Sequence, residues 1–171
     1  GPDSSGAGGV FGSSTADTVG YKITGGSARI AVKITNNSGD DLELSSLVFD
    51  YLSIWDTGPQ TVLLRYDYGA LDDANGTLLA TLAAPGFSGG SAALDYPDFA
   101  VDLQSALTDY TLADGQVAVF GIEGADASNT GVNGIVDNIA FTGTVIPEPA
   151  TLGLLCMVSG GLLFVRRRFC M

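Results

Sequence analysis

Histidine is missing from this sequence. That absence removes His-based catalytic triads, most zinc sites and the usual neutral-pH proton shuttle. Cysteine is nearly missing: Cys156 and Cys170 both fall in the last 26 positions, so residues 1–145 hold no disulfide framework. Basic side chains are scarce as well. Through Val145 only Lys22, Arg29, Lys33 and Arg65 oppose 18 Asp and Glu residues, a net of −14. An acidic body of this kind repels phosphate backbones and disfavours nucleic acid, while suiting a secreted protein or divalent cations. No glycine-rich segment has phosphate-loop spacing, and no stretch before residue 146 has a convincing amphipathic helical period. The opening Gly1-Pro2-Asp3-Ser4-Ser5-Gly6 lacks both a start Met and the apolar run of an export signal, and reads as a mature or an artificially generated N-terminus.

What remains is a β-rich composition: 24 glycines, few charges and many small or β-branched residues. Ser27–Asn36 alternates, with Ala28, Ile30, Val32 and Ile34 on one face and Arg29, Ala31, Lys33 and Thr35 on the other. Asn36-Asn37-Ser38-Gly39-Asp40 is a turn cluster. Leu42–Ile54 changes phase at Ser45-Ser46, which predicts a bulge or bend there. Further strands are expected at Thr61–Tyr68, Thr77–Leu82 (after the Asn75-Gly76 hairpin signal), Asp98–Leu103 and Gln116–Glu123, and the last at Ile135–Val145. Both faces of Gln116–Glu123 are apolar, which places it centrally. Pro85–Ala93 and Gly124–Gly134 read as loops. About eight short strands predict an all-β fold, an antiparallel β-sandwich of jelly-roll type, with an immunoglobulin-like sandwich as the alternative. The expected organisation is a flexible segment 1–15, a sandwich 16–145 and a tail 146–171.

In the tail, Pro147-Glu148-Pro149 holds the backbone extended and withholds two N–H donors. The uncharged run Ala150–Val165 is 16 residues long, about 24 Å as a helix. It predicts a short transmembrane helix, 150–165, extended by snorkelling arginines. Arg166-Arg167-Arg168 then stops the run, which puts the C-terminus in the cytoplasm and the body outside. The alternative is a buried core helix with a basic end.

Pro-Glu-Pro, a short apolar helix and an arginine cluster, in this order, resemble the PEP-CTERM sorting signal. The resemblance covers about the last 26 residues. It implies an exported protein of a polysaccharide-forming, Gram-negative-type bacterium, recognised near Pro147, Glu148 and Pro149 by an exosortase, a membrane protease. It also implies an inner-membrane precursor that passes to the cell surface or matrix, and an association with biofilm. The stretch Val136-Asp137-Asn138-Ile139-Ala140-Phe141 and the turn Asn36-Asn37-Ser38-Gly39 resemble bodies that often precede this signal, which are similar to lectin-like jelly rolls.

Three chemistries compete for the body. The acidic pairs Asp40-Asp41 and Asp72-Asp73 lie in turns rather than facing each other across a sugar, so no glycosidase pair is expected and the chain reads as non-enzymatic. Asp137 at the last strand, with Asp17 near the start, is the candidate set for a structural calcium, as jelly-roll carbohydrate-binding modules imply; the alternative is Asp137 bonding a neighbouring turn. Trp55, Tyr66 and Tyr68 are the candidate glycan-stacking residues, with Tyr66 and Tyr68 expected on one strand face; the alternative is packing beneath a loop. Asn36 and Asn75 begin sequon triplets. Two functions follow: a surface or matrix protein with a structural or adhesive role in exopolysaccharide, or a calcium-stabilised carbohydrate-binding module.

Overall fold

The computed structural model describes residues 21–24, 29–53, 56–84, 98–129 and 132–147. The expected segment 1–15, Asp17, Trp55, the expected helix at 150–165 and Arg166–Arg168 lie outside these residues. No helix among the described residues is long and apolar enough to cross a membrane.

The alternating segments form strands. In chain order they are β1 (Tyr21–Thr24), β2 (Arg29–Thr35), β3 (Asp41–Ser53), β4 (Thr61–Gly69), β5 (Thr77–Ala83), β6 (Asp98–Asp102), β7 (Thr111–Leu112), β8 (Val117–Ala125) and β9 (Asn133–Ile146). One sheet has the order β1-β9-β3-β6, with β7 also paired to β3; the other has the order β2-β8-β4-β5. Every pairing is antiparallel. The all-β sandwich expected from composition is present, with β8 central between β2 and β4 as its two apolar faces predict.

Two short strands and one helical turn had no signal in the periodicity. β1 and β7 span only four and two residues, too short for a period of two to register. The turn α1, Leu103–Ala106, exists because Asp102 caps it, its carboxylate accepting from the N–H groups of Gln104 and Ser105, while Leu103 is buried. The loop expected at Gly124–Gly134 is shorter than predicted, since β8 runs to Ala125 and β9 starts at Asn133.

The core lies between the sheets. Leu44, Leu47, Phe49 and Tyr51 of β3 and Val136 of β9 face Val62, Leu64 and Tyr66 of β4 and Ala118, Phe120 and Ile122 of β8; all are at most 1% exposed. Phe120 joins the layers, its ring centroid 5.8 Å from Tyr66 and 5.2 Å from Phe141. Each of the Val, Leu, Ile and Phe side chains contributes about 1.5–3 kcal/mol by leaving water. The phase change at Ser45-Ser46 is a bulge, with β3–β9 register slipping between Leu44 and Ser46. It lets Leu44 and Leu47 both face inward although three residues apart. The 36–40 turn is pinned from within: buried Asn36 donates to the carbonyls of Asp40 and Leu112 at 2.8 and 2.7 Å, and its own oxygen accepts from the Ser38 N–H. With both amide hydrogens engaged, Asn36 is not presented as a glycan acceptor.

Candidate functional site

A second bulge shapes β9 in its middle. Register with β3 slips between Val48 and Asp50, so that Val48 pairs Ala140 but Asp50 pairs Asp137. The extra residue is accommodated by Asn138 at φ +50, a left-handed conformation that Asn tolerates better than most residues. Its backbone N–H bonds its neighbour's Asp137 Oδ1 at 2.8 Å, and its Nδ2 donates to Asp50 Oδ2 at 2.5 Å. The Asp-Asn pair noted in the sequence is therefore a bulge device that ties β9 to β3. Opposite it, β2 forms the near wall of a groove of about 480 Å³ lined by Ile30, Ala31, Val32, Lys33, Asp137, Asn138 and Ile139.

Across the first sheet, Asp137 of β9, Asp50 of β3 and Asp98 of β6 occupy directly opposed positions, which places three carboxylates on one face. Like charges so placed oppose folding, and Asp50 is 1% exposed. Part of the charge is met by Asn138. As a cation cage the described residues fall short: no group of three or more His, Cys, Asp or Glu among them is arranged to hold a metal. Asp137 Oδ1 and Asp50 Oδ2 already accept hydrogen bonds. Asp17, the expected partner of Asp137, lies outside the described residues.

The aromatic pair is divided. The β4–β8 register slips between Tyr66, opposite Phe120, and Tyr68, opposite Val119. A bulge at Asp67 breaks the alternation, so Tyr66 and Tyr68 do not share a face as the period of two predicts. Tyr66 points into the core, where its hydroxyl donates to the Leu71 carbonyl and accepts from the Leu71 N–H, both at 3.2 Å. Burial, chiefly, raises its pKa; Asp73 and Asp109 add to this and the Leu71 bond opposes it. Its ring is closed to a glycan. Tyr68 is 57% exposed and remains open to one.

The same bulge drives Asp67 onto the outer face of the second sheet, where its carboxylate lies 2.8 Å from Arg29 Nη1. This is an ion pair without an aligned N–H, since Asp67 Oδ1 has no hydrogen bond. It lies over Gly121, whose absent Cβ would stand 2.5 Å from Arg29 Cδ and 2.8 Å from the carboxylate. Beside it Arg65 Nε donates to Glu123 Oε2 at 3.3 Å. Two of the body's four basic side chains are thus engaged in ion pairs.

β9 leads directly to the tail. It stays paired to β3 as far as Ile146 opposite Asp41, residues 142–147 are exposed, and Pro147 follows without an intervening loop. Of the expected motif Pro147-Glu148-Pro149 only Pro147 is described; Glu148, Pro149 and the arginine cluster lie outside the described residues.

Asp50, Asp98 and Lys33 were not singled out in the sequence. Asp50 left one trace, a lone acid inside the apolar run Leu47-Val48-Phe49-Asp50-Tyr51-Leu52. Asp98 and Lys33 left none, because their neighbours are fixed by register across strands far apart in the chain. No family model matches the sequence, and no curated protein matches it.

Proposed function

We propose that this chain is an exported cell-surface or extracellular-matrix protein, sorted and processed through its tail by an exosortase, with a non-enzymatic structural or adhesive role in exopolysaccharide or biofilm. One observation carries the reading: Pro147-Glu148-Pro149, the uncharged run Ala150–Val165 and Arg166-Arg167-Arg168 follow one another as in the PEP-CTERM signal. The exposed exit of β9 at Pro147 supports it, since a protease needs an extended chain clear of the sheet ladder. On this reading 150–165 spans the inner membrane of the precursor as a helix, and the arginines hold the C-terminus in the cytoplasm.

The body is of jelly-roll type. Its strand order supports this: among the described strands the first and last pair in one sheet, and the second and next-to-last pair in the other.

The test is intact mass and membrane fractionation of the chain in a polysaccharide-forming host with and without its exosortase. A mass loss equal to the helix and arginines, seen only with the protease, is the expected result. An intact tail in both hosts, with the protein held in the inner membrane, sinks the reading.

The second reading is a calcium-stabilised carbohydrate-binding module; exposed Tyr68 supports it as a glycan contact, whereas the described carboxylates form no cation cage. On that reading calcium raises the melting temperature and EDTA reverses the gain. A melting temperature indifferent to both removes it.

A further inference from the structure

Two asparagines begin sequon triplets, Asn36 and Asn75, and the fold treats them oppositely. Asn36 is 2% exposed, and its amide hydrogens are held by the carbonyls of Asp40 and Leu112. Asn75 is exposed at the tip of the β4–β5 hairpin. Its side-chain amide has no hydrogen-bond partner among the described residues. The turn that carries it is held from below: the Thr77 N–H donates to the Ala74 carbonyl at 3.1 Å, and the Gly76 N–H to the Tyr66 carbonyl at 2.7 Å. Gly76, at φ +82, takes the left-handed position, so Asn75 needs no strained backbone. The Thr77 hydroxyl donates to the Ala74 carbonyl at 2.6 Å, so the acceptor amide and the sequon hydroxyl ride on the single turn 74–77. Asp73, two residues ahead, gives the motif its acidic form, Asp-x-Asn-x-Thr. Its Oδ2 accepts from the Thr108 N–H at 2.9 Å, which ties the turn to the body. The two strands that carry the turn also hold exposed Leu78 and Tyr68, apolar surface that the C–H face of an attached sugar would shield.

We propose that Asn75 is a covalent glycan-attachment site, served by an oligosaccharyltransferase whose donor is an oligosaccharide on polyisoprenyl pyrophosphate. In the step, Asn75 Nδ2 attacks the anomeric carbon of the first sugar. A C–N bond forms, the bond from that carbon to the pyrophosphate oxygen breaks, and the lipid pyrophosphate leaves with the electron pair. Nδ2 gives up one proton to solvent, and nothing is oxidised or reduced. Exposure decides between the two sequons. The transferase must surround both the amide and the hydroxyl two residues on, and the attached glycan is bulky. Asn36 lies beneath its own turn; Asn75 stands at the end of a hairpin. A covalent link also suits a body of net charge −14, since it holds a glycan without a cationic patch or a closed pocket. It deepens the structural role proposed above: the body enters the matrix as part of a glycan rather than by gripping one. Donors of this kind are met outside the cytoplasm, so the modification rests on the export reading and not on how the tail is processed.

The test uses the purified, folded full chain in detergent, with an oligosaccharyltransferase that reads the acidic sequon and its polyisoprenyl-pyrophosphate oligosaccharide. Supplying both in vitro removes export from the question, so this test and the exosortase experiment fail separately. Intact mass and peptide mapping are expected to show one oligosaccharide per chain, on Asn75. Asn75→Gln and Thr77→Val are expected to abolish it; the valine keeps the β-branched shape on β5 and removes only the hydroxyl. Thr77→Ser is expected to restore it. A peptide of residues 71–79, treated alongside, measures the motif without the fold. An unmodified Asn75 in the folded chain overturns the proposal, and modification of the peptide alone would show that the turn withholds the amide. So does an oligosaccharide that persists in Asn75→Gln, or one that maps to Asn36 instead.

Discussion

β8 and β9 are both long, apolar and built into the core, yet their surroundings differ. β8 is paired on both sides along most of its length, to β2 and to β4, and its residues are buried almost throughout. β9 is paired on both sides over only its first four residues among those described, and it runs out to solvent. An apolar strand with two neighbours is spent on stability. An apolar strand that runs out to solvent still has side chains to offer. Hydrophobicity alone does not separate the two; burial does.

The sharpest way to break this contrast is to truncate one aromatic ring in each strand. Phe120→Ala, at a site with no exposure, is expected to cost about 3–5 kcal/mol in chemical unfolding. Phe141→Ala, half-buried on β9, is expected to cost roughly half as much. Equal losses would make β9 as much a core strand as β8.

A smaller effect is expected at the β9 bulge, where Asn138→Ala removes both the Asp50 hydrogen bond and the tolerance for φ +50 and costs about 1–3 kcal/mol. Asn138→Gly restores the backbone term alone, so its melting temperature should fall between those of the wild type and the alanine variant. If glycine is no better than alanine, the left-handed backbone is not what Asn138 supplies.

Alkaline titration compares the two sheets through one buried tyrosine from each. Burial pushes up the phenol of Tyr51 on β3 and is the main cause raising that of Tyr66 on β4. Because both folded-state pKa values lie above the unfolded value, folding is favoured in full below about pH 10 and loses stability as pH rises beyond it. Tyrosinate absorbance from the buried pair should therefore rise only with unfolding. Early, complete ionisation without loss of near-UV ellipticity would contradict their burial. The least effect on stability is expected from Thr144→Lys/Ile146→Lys, whose melting should stay within about 0.5 kcal/mol of wild type. A larger loss would mean that the end of β9 is needed for the fold itself.

The sequence made legible what depends on neighbours along the chain. The alternation of β2, the slip at Ser45-Ser46, the turn at residues 36–40 and the central place of β8 all follow from local pattern, and the structure contains each of them. What depends on register was hidden. Nothing near Tyr66 announces that Asp67 is a bulge, so an i, i+2 pair read as one face falls on two. The aspartate row joins positions 50, 98 and 137, and only the ladder brings them level. Strands of two or four residues leave too little period to detect.

The direct passage of β9 into Pro147 has a mechanical side. If the body is held by what it adheres to and the tail by a membrane or an acceptor, tension enters at Pro147 and acts along the axis of β9. Eleven opposed residue pairs join β9 to β3, and their hydrogen bonds lie crosswise to that tension. They are loaded together rather than peeled one at a time, so the lifetime of the anchored body under flow would be set by the unfolding rate rather than by the equilibrium stability. The bulges after Leu44 and Val48 divide this ladder into shorter blocks and mark where it would first give way.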